Sequence, residues 1–312
     1  MVQFIKRLVI FLLVALVFVE LVSFVLLKTN MYLEDYPGNE IYNAIFKSKK
    51  KCKAKILILG DSVGEQLFSN KENNDSINSL TCNQAIGVCG HYFLLRNYCL
   101  AGNKINHVYL IYTPFSFKNN LDEKYTFHYF LKPFNNDEYN KLFSASVFSQ
   151  VNKIPYRQFI NFPHILISSW SPKYIEEENT EYSFLSPISG EYLNKIKMLA
   201  EEYGFKFTIV PPPTRKDKKR IVEQMDVHEA DLYGLTNEFE AYFNRVNYID
   251  QDNFKDETHL KRPLDHKHLF FKQMLVTSLF TPLSDKKSDI SPEKKQGRTI
   301  KPTRQASRNS SD

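Results

Sequence analysis

Residues 8–27 read LVIFLLVALVFVELVSFVLL, and no other segment narrows what this chain can fold into so severely. Twenty residues at a helical rise of 1.5 Å span roughly 30 Å, the thickness of a bilayer's hydrocarbon core. A chain crossing lipid must satisfy its own backbone polar groups, which selects a helix. A secretory signal would have an apolar stretch of about 7–15 residues followed by a small-residue cleavage site. Here the exit reads LLKTNMYLEDY, without Ala-x-Ala. The expectation is an uncleaved N-terminal transmembrane anchor over residues 1–30. Glu20 is costly in that setting and calls for protonation or a partner on another helix. Lys6 and Arg7 precede the run, which favours a cytoplasmic N-terminus and an extracytoplasmic body. Lys47, Lys49, Lys50, Lys51, Lys53 and Lys55 pull the other way, or form the solvated face of a linker at 31–51.

Composition decides a few broad questions. With 43% hydrophobic and 14% aromatic residues, the 312-residue chain can build a large core, which excludes a wholly disordered protein. The net charge of +6 suggests an anionic partner until it is located: Ser284 to Asp312 holds eight Lys/Arg against four acids. The body is therefore near neutral, and no nucleic-acid partner is expected. The tail at 284–312, full of Ser, Lys, Pro and Asp, reads as disordered. Cys52, Cys82, Cys89 and Cys99 fit no zinc spacing and can be buried thiols or bridged pairs. The histidines lack ligand spacing, so no metal or other cofactor is expected.

After the linker, KILILGDS (Lys55 to Ser62) is continuously apolar up to a Gly-Asp turn, the pattern of a strand buried on both faces. Further strands are expected at Ser79–Ile86, His107–Tyr112, Lys206–Val210 and Arg245–Ile249, with helices at about Gly90–Asn97, Ser186–Gly204 and Leu269–Phe280. The Ser186 helix has proline at its first position and glycine at its end. Residues 118–185, rich in aromatics and broken by prolines, read as an insertion or lid of short helices. Alternating strands and helices predict an α/β body at 52–283, mostly parallel, with helices on both faces and reactive groups past the strands' carboxyl ends.

Two short blocks carry chemistry. Gly60-Asp61-Ser62 ends the first strand and opens a helix, which suits a nucleophile whose turn can also donate to an oxyanion. The plainer role for Asp61 or Ser62 is helix capping. Asp256-Glu257-Thr258-His259 follows the last strand, with an aspartate placed to orient an imidazole acting as general base. His266 and His268 lie close enough in sequence to compete for that role.

ILILGDSVGEQLF resembles the first block of the SGNH/GDSL hydrolases, and DETH resembles their D-x-x-H block. The resemblance implies a flavodoxin-like, five-stranded three-layer sandwich, with Ser62 as nucleophile, His259 as base and Asp256 as orienter. It also implies an oxyanion hole completed by a glycine N–H and an asparagine side chain. Gly90, with Gly87 as alternative, fits the glycine position. The family's G-x-N-D is absent, and TPFSFKNNLD stands in its place, leaving Asn119 or Asn120 for the amide. Ser116 reads as structural. The aromatic run Tyr125 to Phe134 reads as packing rather than as a sugar-binding cleft.

The function expected is a membrane-anchored serine esterase, or an O-acyltransferase, acting through a Ser-His-Asp triad. Its substrate would be an acylated, notably acetylated, cell-envelope or exported carbohydrate, or a small ester. The competing expectation is a non-catalytic envelope protein that binds or assembles polysaccharide on a degenerate SGNH fold. The departure at G-x-N-D favours the second, and the two catalytic blocks favour the first.

Overall fold

The computed structural model describes residues 1–280 except 30, 32–35, 37, 72–74 and 173–181. The basic tail at 284–312 therefore lies outside the described residues. Helix α1, Val2–Thr29, is long and apolar enough to cross a membrane, and its side chains are almost all exposed. Glu20 is paired: its carboxylate meets the ring and the backbone N–H of His164.

The segment expected to be a linker contains a helix, α2, Asn39–Ser48. Ile41, Ala44 and Ser48 recur at three- and four-residue spacing, and all are fully buried against the body. Lys47 reaches from α2 to the carbonyls of Asn70 (2.7 Å) and Ser79 (3.0 Å). The lysine run misleads because it marks the exposed end of an element whose other face is core.

Four strands form one parallel sheet: β1 (Ile56–Gly60), β2 (Ile77–Ser79), β3 (His107–Ile111) and β4 (Lys206–Val210), in the order β2-β1-β3-β4. Helix α3 (Ser62–Leu67) follows β1, and α4 (Gly87–Leu100) follows β2. A short helix, α5 (Pro163–Ile167), carries His164. Helix α6 (Pro187–Tyr203) precedes β4 and has the ends its sequence predicts. The Ser186 hydroxyl accepts from Ser189 N–H, Pro187 opens the helix, and Gly204 closes it at φ +71°. Helix α7 spans Pro263–Phe280.

Alternation along the strands divides two cores. Leu57, Leu59, Val108 and Leu110 face the side holding α4 and α6, while Ile58, Tyr109 and Ile111 pack with Val63, Leu67 and Phe68 and with Phe270 of α7. Each such side chain removed from water contributes about 1.5–3 kcal/mol, so this layering dominates stability.

Two expected strands differ. β2 begins earlier than Ser79, and the chain stays extended beside β1 through Leu80 N–H to Ile58 O (2.8 Å) and Cys82 N–H to Gly60 O (3.0 Å). It then turns where Asn83 caps Gln84–Ile86. The expected fifth strand does not join this sheet. Arg245 and Val246 still bond back to Tyr242 and Phe243 of the preceding helix, which leaves only Tyr248–Ile249 (β6) extended. Those residues pair with Thr214–Arg215 (β5), just beyond Pro211–Pro213, whose missing N–H groups interrupt any ladder.

Much of the aromatic stretch at 118–185 that is described packs into the body. Phe127, Phe130, Phe134 and Tyr139 are buried in the larger core with Phe93 and Tyr192, which gives these rings of the Tyr125–Phe134 run a packing role, while Tyr125 itself is about half exposed. No disulfide joins the four cysteines among the described residues, and Cys82, Cys89 and Cys99 are buried.

Candidate active site

The carboxyl end of β1 is built for close approach. A Cβ on Gly60 would lie 2.6 Å from the Ile111 carbonyl oxygen of β3, so only glycine lets the two strand ends converge. Asp61 follows, fully buried. One carboxylate oxygen caps α3 by accepting from Val63 N–H (3.0 Å) and Gly64 N–H (3.2 Å). The other accepts from Thr113 N–H (2.7 Å) and the Ser116 hydroxyl (2.8 Å), beyond β3. Burial pushes the Asp61 carboxyl above its ordinary range, and these four donors oppose that. The capping role weighed for this tripeptide thus belongs to Asp61, and Ser116 has the structural part expected of it. Ser62 is left at the first helical position, half-buried, with its hydroxyl outward.

The second half of the site is a surface turn. Phe254 and Leu260 bridge its base as an antiparallel pair, and Lys255 N–H bonds His259 O at 2.9 Å. At the tip, Asp256 Oδ1 accepts from Thr258 N–H (2.8 Å) and His259 N–H (2.7 Å). The same carboxylate meets His259 Nδ1, with Oδ2 at 2.8 Å and Oδ1 at 3.1 Å. Slight burial would raise the Asp256 carboxyl, but the two N–H donors and the imidazole bring it down to about 2.

The two halves meet. His259 Nε2 lies 2.9 Å from Ser62 Oγ, although the residues are 197 positions apart. That is hydrogen-bond reach for a base and a nucleophile, with the other ring nitrogen already held by a carboxylate. The contact is made by His259; His266 and His268 belong to α7 instead.

Two residues the sequence reading passed over hold this arrangement. Gln66, one helical turn after Ser62, accepts from Leu260 N–H with Oε1 (2.9 Å) and donates from Nε2 to Leu260 O (3.4 Å). The helix that carries the serine thereby grips the backbone next to the histidine. Arg215 donates from Nη1 to the Asp256 carbonyl at 3.3 Å and is itself paired with Asp217. The i, i+4 spacing of Ser62 and Gln66 was the one sequence signal for Gln66, and Arg215 had none.

The expected oxyanion residues are engaged within the fold. Gly90 is the fourth residue of α4, buried, with the Ile86 side chain where a Cβ would go. Gly87 sits at φ +59° against Leu121 and Asn119. Asn119 is buried, donating to Gln84 O (2.7 Å) and accepting from Leu121 N–H (2.7 Å), while Asn120 accepts from Ile188 N–H at 3.3 Å. These amides bind loops together, which the asparagine count of TPFSFKNNLD could not reveal. At the start of α3, Asp61 takes the N–H groups of Val63 and Gly64 and leaves that of Ser62 beside its own hydroxyl.

Comparison with protein-family models, with curated proteins and with solved structures finds no match.

Proposed function

We propose that the chain is a membrane-tethered serine esterase or O-acyltransferase of the SGNH/GDSL type. It would act outside the cytoplasmic membrane on O-acyl groups, acetyl above all, of an envelope or exported carbohydrate. The observation that carries this reading is the unbroken series from Ser62 Oγ through the His259 ring to the Asp256 carboxylate. The strand order β2-β1-β3-β4 supports it, since it matches the start of the flavodoxin-like order 2-1-3-4-5. In that order the crevice lies between the ends of β1 and β3, and Ser62 stands there.

In the reaction, Ser62 Oγ attacks the ester carbonyl carbon as its proton passes to His259 Nε2. Asp256 holds the ring and stabilises the imidazolium. The Ser62 N–H donates to the tetrahedral oxyanion. Collapse breaks the ester C–O bond, and the alcohol leaves with the proton from His259. Water, or a second carbohydrate hydroxyl, then attacks the acyl carbon as its proton passes to His259, and collapse breaks the bond to Ser62 Oγ, which takes that proton back from His259. The exposed turn that carries His259 leaves this step open to either acceptor.

Turnover of p-nitrophenyl acetate by the full chain, with and without a glycan acceptor, tests the reading. Ser62-dependent release of nitrophenol supports it, and an acetylated glycan identifies the transferase. Equal release by wild type and Ser62→Ala overturns it. A second reading, a non-catalytic envelope protein that binds polysaccharide, draws on the structural commitment of Gly90 and Asn119. Glycan binding without Ser62-dependent turnover would favour that alternative.

A further inference from the structure

The contact between α1 and α5 fixes more than an ion pair. Glu20, Ser23 and Leu27 recur at three- and four-residue spacing on the one side of α1 that the body covers; Ser23 is fully buried there. Glu20 precedes the end of the apolar run by seven residues, about 10 Å along a helix. A segment that bonds Glu20 through its own backbone and ring therefore lies at the depth of the adjoining lipid leaflet, not above it.

That segment, residues 156–170, shows an uncommon surface. Tyr156, Phe159, Phe162 and Trp170 are each about half exposed. Their rings form one patch: Phe162 to Phe159 at 5.9 Å, Phe159 to Tyr156 at 6.5 Å, and Tyr156 to Trp170 at 6.1 Å. A neighbouring ring contact, Phe162 to His164 at 6.2 Å, joins the patch to the residue that meets α1. Between the aromatics, Arg157, Gln158 and Asn161 turn toward a cavity of about 400 Å³ completed by Asn135 and Asn152. The segment is also fastened at its far end. Buried Lys132 donates to Ser168 O (2.7 Å) and to the Tyr36 hydroxyl, which itself bonds Ser168 O at 2.9 Å.

We propose that residues 156–170 dock into the membrane leaflet beside α1, with Tyr156, Phe159, Phe162 and Trp170 seated among the lipids at the interface. This rests on the reading of α1 as a membrane anchor. Aromatic rings with one polar edge gather at the bilayer interface, where a guanidinium and hydrogen-bonding amides meet headgroups. An exposed aromatic patch continuous with a spanning helix has lipid as its neighbour. The docked element would hold the body in one orientation at the surface, so that the site meets acceptors at a fixed height.

Trp170 is the only tryptophan, so the native chain carries its own reporter. The full chain is placed in phosphatidylcholine nanodiscs with and without lipids brominated high on the acyl chain. Roughly twofold or greater quenching of Trp170 is expected for a ring at the interface. Two reporters in a Trp170→Phe background separate the possibilities: Val14→Trp within α1, and Leu232→Trp on the exposed far body. Quenching of Trp170 and of the α1 reporter, but not of the Leu232 reporter, supports docking. Quenching of the α1 reporter alone overturns docking and leaves the anchor intact. Quenching of neither overturns both. Equal quenching of Trp170 and the Leu232 reporter also overturns docking, because the effect would then carry no location.

Discussion

The two halves of the candidate site are held in opposite ways. Ser62 follows a strand with both neighbours in the sheet, and Asp61 beside it is fully buried with four donors on its carboxylate. His259 and Asp256 ride on a surface turn, and the Asp256 side chain is 49% exposed. That turn keeps its shape through its own short-range hydrogen bonds and is located against the body by burial of Phe254 and Leu260 at its base and by Gln66 and Arg215. Ser62 is thus set directly by the sheet, whereas His259 rides on a turn whose two ends, Phe254 and Leu260, are buried in the core while its exposed tip is held by a handful of polar contacts. Changes on the first side should act on stability or on all activity at once, and changes on the second side should act on rate alone.

The largest effect is expected at the shared contact. Ser62→Ala should lower esterase turnover by roughly 10³-fold or more while leaving the circular dichroism spectrum and melting temperature unchanged. Retained turnover would break the comparison by removing its centre. Asp256→Asn should follow, with a loss of about 10²-fold, smaller than for a buried orienting aspartate because water can partly replace an exposed one. Its pH dependence has a definite sign. The folded carboxyl titrates at about 2, below its ordinary 3.8, so its stabilising contact is complete above that ordinary value and fades as the pH falls toward 2. A rate profile of the wild type should show no loss through Asp256 at any pH above about 4.

Asp61→Ala sharpens the contrast from the other side. It strands two helix-capping N–H groups and Thr113 N–H, and takes one partner from the Ser116 hydroxyl, which keeps Thr113 Oγ1 and Gln84 Oε1. The expected cost is about 2–3 kcal/mol of global stability, read from urea unfolding. Unchanged stability would show that the frame around the nucleophile is not what fixes it. The smallest effect belongs to Gln66→Ala, which releases Leu260 but leaves Ser62 on its helix. About a tenfold fall in kcat with little change in KM or melting temperature is expected, because only the approach of His259 is loosened. A fall in stability without a fall in kcat would make Gln66 an ordinary packing residue.

What could be read in the sequence follows the same division. ILILGDS announced a buried strand and a turn because a parallel strand covered on both faces must be continuously apolar. The α6 helix was legible to its last residue, since Ser186, Pro187 and Gly204 are each required by helix ends. Linear pattern also singled out Asp256 and His259, three residues apart, which the fold brings to Ser62. It could not find Gln66 or Arg215, whose roles depend on contacts across 194 and 41 positions. It left the choice between Asn119 and Asn120 open for the same reason: an amide bound to Gln84 O and one aimed at a substrate look alike in a string of letters. The fifth strand failed because RVNYI has strand composition, yet its first residues complete a helix and only its last two pair, with Thr214–Arg215. Helix α2 was hidden by the lysines beside its buried stripe.

The most direct test is covalent labelling of the full chain by a fluorophosphonate, which reacts with a serine whose proton an adjacent base can accept. Labelling of the wild type that disappears in Ser62→Ala and in His259→Ala is the predicted result. A wild type left unlabelled, or labelling that survives both substitutions, would contradict the claim that this serine and this imidazole work as a pair.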